Sequence, residues 1–338
     1  MWRASKSRFD VATNVDQGSR PYQQDALLAN FPTGEDWGIG ILADGMGGHA
    51  SGDVASGIVV GQTFAELRSR LSDCTSVPAR APQTLRAAVN AANAAVDRRA
   101  TGDATLKGMG STVVACMAMG PDLYWASVGD SLLLLCREGN LLRLNEDHSM
   151  APQIDAMVAS GMLSQDFGAN HPDRHQLTSA VCGDALVRVD CPDAPFKLRT
   201  GDVLVVASDG LQTLPDDVIG KTVYRLRRKA SADIADALVR AVGERNDPRQ
   251  DNLAVMVIKV ASDAPVASKP ARPVPEEAAL NVVALAEANW QEVTPAPSSP
   301  AQGPTTATTP APQHSAKPAS TEIEVEAAPD ILARALSL

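Results

Sequence analysis

Five aspartates fall where apolar runs begin or end. Asp44 follows the run 37–43, Asp130 follows 123–128 and Asp209 follows 203–207, while Asp25 precedes 26–31 and Asp251 precedes 253–260. In an antiparallel sheet the end of one strand lies beside the start of the next, so acids at three ends and two starts can share one sheet edge. Clustered carboxylates raise each other's pKa unless a cation sits between them. An all-oxygen set without His or Cys suits Mg²⁺ or Mn²⁺ rather than Zn²⁺. Aspartate is also common at strand boundaries because it favours turns, and on the acids alone both readings stand.

The stretch from Ile39 to Gly52 sharpens the question. Trp37, Ile39, Ile41 and Ala43 alternate with the period of a half-buried strand, and four glycines crowd the eight residues after Asp44. Glycines there let the chain turn sharply and bring its own carbonyl oxygens to an ion.

Other strands are expected over 10–15, 111–119, 132–136 and 141–144, the last two joined by a turn at Arg137-Glu138-Gly139-Asn140. Helices fit 52–71 and 83–99, where Leu85, Val89, Ala92 and Val96 recur at helical spacing. A third is expected to start with Ser231 as N-cap and to carry Ile234, Leu238 and Val242. Strands and helices come in blocks rather than in strict alternation, which predicts an α+β fold with antiparallel sheets.

The chain has 338 residues, 44% of them hydrophobic, enough for one large core or two modest ones. Thirty basic residues against 40 acidic give a net charge of −10, which argues against a nucleic-acid partner and against adhesion to an anionic membrane. The five cysteines form no Cys-x-x-Cys pair and read as buried free thiols of a reducing compartment. With no apolar leader-like segment and no run of membrane-spanning length, a cytoplasmic location is expected.

A composition break near residue 262 divides the chain into a domain over 8–261 and a tail over 262–338. The tail holds 12 of the 23 prolines and half the net charge, so it is expected to be largely disordered. Residues 276–293 and 330–338 interrupt it as candidate short helices that could dock a partner.

Six motifs occur in order: Gly18-Ser19-Arg20-Pro21-Tyr22-Gln23-Gln24-Asp25, Asp44-Gly45-Met46-Gly47-Gly48-His49, Gly108-Met109-Gly110-Ser111-Thr112, Gly129-Asp130-Ser131, Ser208-Asp209-Gly210-Leu211 and Asp251-Asn252. The series resembles the metal-dependent serine/threonine protein phosphatases (the PPM or type 2C family) in their bacterial form. The resemblance implies two packed antiparallel β-sheets flanked by α-helices, with a binuclear Mg²⁺/Mn²⁺ site at one end. It implies a phosphatase acting on phosphorylated proteins, opposing a serine/threonine kinase. By position it makes Asp44 the carboxylate bridging both metals and places the Gly45 carbonyl on one of them. Asp209 and Asp251 become further ligands, and Asp25 an acid acting on the second metal largely through water. Asp130 joins Asp209 at a weaker third metal, and Arg20 becomes the anchor of the substrate phosphate. The implied chemistry is in-line attack on phosphorus by a water that the metals activate.

The sequence departs from the family pattern at Gln23, Gln24, Leu132 and Ser179, where asparagine, glutamate, arginine and arginine are usual. His49 and His148 read as structural rather than catalytic, Cys182 as a packed thiol, and Ser131 and Ser208 as turn and strand-end residues. A phosphoprotein-binding module of the same fold with little turnover is the alternative; intact Asp44, Asp209 and Asp251 speak against it. A scaffold built on the tail and a metal-dependent nuclease are the remaining rivals, the second disfavoured by the acidic charge.

Overall fold

The computed structural model describes residues 7–47, 51–70 and 77–261. His49, Cys74 and the tail with both of its candidate helices lie outside the described residues. In chain order the elements are β1 (Phe9–Asp16), β2 (Asp25–Asn30), β3 (Trp37–Met46), α1 (Ser51–Arg70), α2 (Val77–Gly102), β4 (Gly110–Ser111), β5 (Val113–Met119), β6 (Asp122–Val128), β7 (Leu132–Arg137) and β8 (Asn140–Arg143). Then follow α3 (Ala151–Ala159), α4 (Gln165–Ala169), β9 (Phe196–Lys197), β10 (Val203–Ala207), α5 (Asp216–Leu226), α6 (Ser231–Gly243) and β11 (Leu253–Val260).

Two antiparallel sheets form the centre. One has the order β1-β11-β10-β7-β8 and the other β2-β3-β5-β6-β9, with β4 added to the end of β3. Strict alternation of side chains sorts each central strand into two cores. On β11, Ala254, Met256, Ile258 and Val260 face the interior between the sheets, while Leu253, Val255 and Val257 face α5 and α6. On β5, Val114, Cys116 and Ala118 face the interior between the sheets, and Val113, Ala115 and Met117 face α1 and α2. Both faces of both sheets are therefore covered, which is why these strands read as continuous apolar runs. The layers are helix, sheet, sheet, helix, as the sequence implied.

Most strand expectations hold to within a residue, but β3 runs three residues past its expected end and the strand expected over 111–119 is broken at Thr112 into β4 and β5; the Glu138-Gly139 turn has positive φ at both residues (54° and 89°). The helices differ more. α2 begins at Val77 rather than at residue 83 and runs through Pro82, with Ala81 and Leu85 both fully buried. Ser231 is the first helical residue, not the cap: its hydroxyl donates to the Asp10 carbonyl and its N–H to the Asp10 carboxylate (3.0 Å), tying α6 to β1. The helices α3, α4 and α5 were not expected. α3 and α4 are short, and in α3 Ile154 is the one buried residue, so no apolar stripe announces it.

Candidate metal centre and cleft

β3 does not stop at Asp44. It continues through Gly45 and Met46, which pair with Ser111 and Gly110 of β4. The motif Gly110-Ser111-Thr112 locks Asp44 in place. Thr112 N–H and the Ser111 hydroxyl both donate to the Asp44 carbonyl (2.8 and 2.9 Å), and Asp44 N–H donates to the Thr112 hydroxyl (3.0 Å). Asp25 opens β2 directly opposite Asp44.

The other sheet contributes the remaining acids. Asp209 follows the end of β10 and Asp251 precedes the start of β11, so both stand at the end of the sandwich that carries Asp25 and Asp44. Ser208 ties the sheets together there. Its hydroxyl donates to Asp25 Oδ2 (2.7 Å) and accepts from Ala254 N–H (2.9 Å). Asp130 sits in the β6–β7 turn, almost fully buried.

These carboxylates act on one another. The Asp44 carboxyl is close enough to those of Asp25, opposite it on β2, and Asp209, across the cleft, for each to shift the others. Burial pushes Asp44 well above the usual carboxylate range, and Asp209, Asp25, Asp130 and Asp251 add to the shift. Asp25 is pushed up to about 7, by burial first and by Asp209 and Asp251 after it. Asp130 is also pushed up to about 7, by burial and then by Asp209 and Asp147. Asp209 is raised by burial and by Asp251. Such a group of desolvated acids is short of positive charge.

A cleft of about 580 Å³ opens over the cluster, lined among others by Arg20, Asp44, Asp130, His175, Asp209 and Asp251. Asp25, beside Asp44 on β2, is not among the residues that line it. Gly45 lines it too, and a side chain there would collide with the Gly52 carbonyl oxygen at 2.0 Å, so only glycine lets the start of α1 come this close. Arg20 reaches the cleft from the loop before β2, with its guanidinium on Asp251 at 2.5 Å. That loop is fixed from below. Gly18, at φ 62°, presses on the Asp251 carbonyl, and the buried Asn252 amide donates to Gln17 and Tyr22 carbonyls (2.8 and 3.0 Å) and accepts from Gln24 N–H (2.8 Å).

Among the described residues, no three His, Cys, Asp or Glu side chains form a set that could hold one ion unaided. Mg²⁺ does not need such a cage. It keeps several waters and takes one or two carboxylates per ion. The all-oxygen donors and the mutual repulsion of buried acids fit divalent cations with water completing their shells.

A profile of the protein phosphatase 2C family matches residues 17–257. The chain belongs to that family, the metal-dependent serine/threonine protein phosphatases. It is 30% identical over 249 residues to the serine/threonine phosphatase stp of Listeria welshimeri, covering 72% of this chain and 93% of that protein. Its fold matches the crystal structure of the Mycobacterium tuberculosis serine/threonine phosphatase PstP/Ppp with a TM-score of 0.63 and 28% identity, over 75% of this chain and 99% of that one. A structure of the PstP catalytic domain in complex with two manganese ions matches at TM-score 0.59 and 27% identity, with 75% and 99% covered.

Other residues of this phosphatase take places the sequence did not announce. Leu132, where the family usually has arginine, is buried on β7, and Arg143 of β8 serves the turn instead, donating to the Asp130 carbonyl (2.8 Å) and to Asp147 (3.0 Å). His175 lines the cleft beside the acids. Cys182 is a correction: rather than packed, it is exposed and lines the cleft beside Gly110. Cys116, Cys136 and Cys191 are buried as expected. His148 is fully buried, with Nδ1 accepting from Gly129 N–H (3.2 Å), so it is structural. Ser131 is bonded to the Thr112 hydroxyl (2.7 Å). No helix among the described residues is long and apolar enough to cross a membrane.

Proposed function

We propose that this enzyme hydrolyses phosphoserine and phosphothreonine in proteins at a two-cation site assembled on Asp44. The convergence of Asp44, Asp130, Asp209 and Asp251 on one cleft, with Asp25 paired to Asp44 across the β2–β3 ladder, carries the reading. It puts acids from both sheets around Asp44, as a ligand shared by two ions requires. Asp209 and Asp251 complete one face, Asp25 acts through water, and the Gly45 carbonyl adds an uncharged oxygen. Asp130, near Asp209, suits a weaker third ion. Two Mg²⁺ or Mn²⁺ ions held there would activate a water and offset the charge that builds on phosphorus.

The chain's own groups do the rest. Arg20 exchanges Asp251 for the substrate phosphate and orients it with its two-pronged guanidinium. Residues 110–112 hold the Asp44 backbone rigid, and Asn252 holds the Arg20 loop. The substrates are phosphoproteins made by a serine/threonine kinase, and the setting is the cytoplasm. Residues 8–261 act as the catalytic domain, with the segment 262–338 available to dock a partner.

The test is hydrolysis of a phosphothreonine peptide with Mn²⁺, with EDTA and with Asp44→Asn. Turnover with Mn²⁺ alone, lost in the other two, is expected. A folded, Mn²⁺-loaded protein that leaves the peptide intact would sink the proposal.

A further inference from the structure

A second pocket, of about 430 Å³, lies at the opposite end of the β1-β11-β10-β7-β8 sheet. It sits where β7 ends, β10 begins and α5 finishes. The strand β10 links it to the acidic centre, with Asp202 at one end and Asp209 at the other. Seven residues of strand put the two roughly 20 Å apart.

Four guanidinium groups line this pocket against two carboxylates, on a chain whose net charge is −10. One pair is internal. Arg137 grips the buried Asp202 through two bonds (2.8 and 2.7 Å) and stacks on Phe196, so it builds the wall. Arg199, Arg227 and Arg228 differ: among the described residues none of them has a carboxylate partner. Glu138 shares the lining without pairing to them. Arg227 is held ready, stacked 3.8 Å over the Tyr224 ring with one nitrogen donating to the Tyr224 carbonyl (2.7 Å). That bond caps the end of α5 and leaves the other guanidinium donors for a ligand.

Three arginines without anions, one pre-oriented by stacking, are what a phosphate dianion needs. We propose that this pocket binds a second phosphorylated residue of the protein substrate, making multiply phosphorylated segments preferred substrates. The inference rests on the phosphatase reading above. Spanning the two sites takes at least about six extended residues, so a short peptide cannot use both.

The experiment compares the full chain with Mn²⁺ on two probes. One is a five-residue phosphothreonine peptide, and the other a twenty-residue peptide with an added phosphoserine about ten residues away. The wild type is expected to show a KM about tenfold lower for the long peptide, the worth of one charge-assisted contact. The triple substitution Arg199→Ser, Arg227→Ser, Arg228→Ser should abolish that advantage and leave the short peptide unchanged. Because Arg228 is exposed, Arg228→Glu alone should halve the advantage or more without disturbing the fold. Equal KM for both peptides in the wild type, or an advantage that survives the substitutions, overturns the proposal. So does inorganic phosphate binding at Arg228, followed by phosphorus NMR, with no preference for the long peptide. No hydrolysis of even the short peptide would instead strike the activity itself.

Discussion

Asp25 and Asp44 face each other across the β2–β3 ladder, residue opposite residue. Like charges in that register repel, and burial denies them the screening of water. The arrangement opposes folding unless a proton or a cation lies between the carboxylates. Asp44→Asn should therefore raise the melting temperature of the metal-free protein by about 2–4 °C, since an amide takes one charge out of the buried cluster. The same substitution should remove both turnover and the rise in melting temperature that Mn²⁺ gives the wild type. A variant that melts below the wild type in EDTA would show that the pair is not a source of instability.

The metal-free protein should lose stability as the solution turns from acid to neutral. Asp25 and Asp130 are pushed up to about 7 in the folded state from a normal value of 3.8. Between those limits the folded state holds protons that the unfolded chain has released. Their contribution is complete below about pH 4 and is gone above about pH 7, on the order of a few kcal/mol in all. Thermal melts in EDTA from pH 5 to 7.5 should show the decline, and Mn²⁺ should flatten it. Calorimetry in two buffers at pH 6 should detect protons released as the metal enters. An EDTA profile that rises with pH would contradict this.

Asn252 holds the Arg20 loop through three hydrogen bonds, all to backbone groups. Asn252→Ala leaves buried backbone groups unpaired and should cost about 2 kcal/mol of stability. Its kinetic signature should be a raised KM for phosphopeptide, with kcat falling less, because the loop carries Arg20, the proposed phosphate anchor, and not the acids. Arg20→Lys should raise KM in the same sense, since a point charge cannot form the two-pronged contact. A fall confined to kcat would assign Asn252 to the metal cluster instead.

The strands were legible because the central ones are buried on both faces and read as apolar runs, and the acids because they stand where several of those runs begin or end. The positions of Asp44, Asp209 and Asp251 along their strands followed from that pattern. The helix over 151–159 was not legible, because it buries little beyond Ile154 and has no stripe to reveal it. The α2 start was misplaced because Pro82 reads as a boundary, whereas a proline removes a single N–H and the flanking apolar contacts carry the helix past it. Arg143 was out of reach because a basic residue on an edge strand gives no sign that it will reach back to the Asp130 turn, and His175 because its segment resembled the family without marking it as a cleft residue. Cys182 failed as a packed thiol because the apolar residues beside it turn inward while its own side chain faces the cleft.

His148 offers the cleanest separation of a structural histidine from a catalytic one. It is fully buried beside Gly129, one residue from Asp130, and its Nε2 has no hydrogen-bond partner among the described residues, the Glu146 carboxylate lying 3.9 Å away. Burial lowers its pKa below the ordinary 6.5, and Arg188 lowers it further against the pull of Asp190, Glu146 and Asp147. A depressed histidine stabilises the fold above its unfolded pKa and stops doing so as pH falls through the folded value. His148→Asn keeps an acceptor near the Nδ1 position for Gly129 N–H. It should cost about 1–2 kcal/mol at pH 8, where it leaves a small void, and should weaken the loss of stability between pH 6.5 and 5. Turnover at pH 8 should stay within about twofold of the wild type, a margin far narrower than the 10²–10⁴ typical of a lost general acid. A larger loss in a folded variant would return His148 to the list of proton donors.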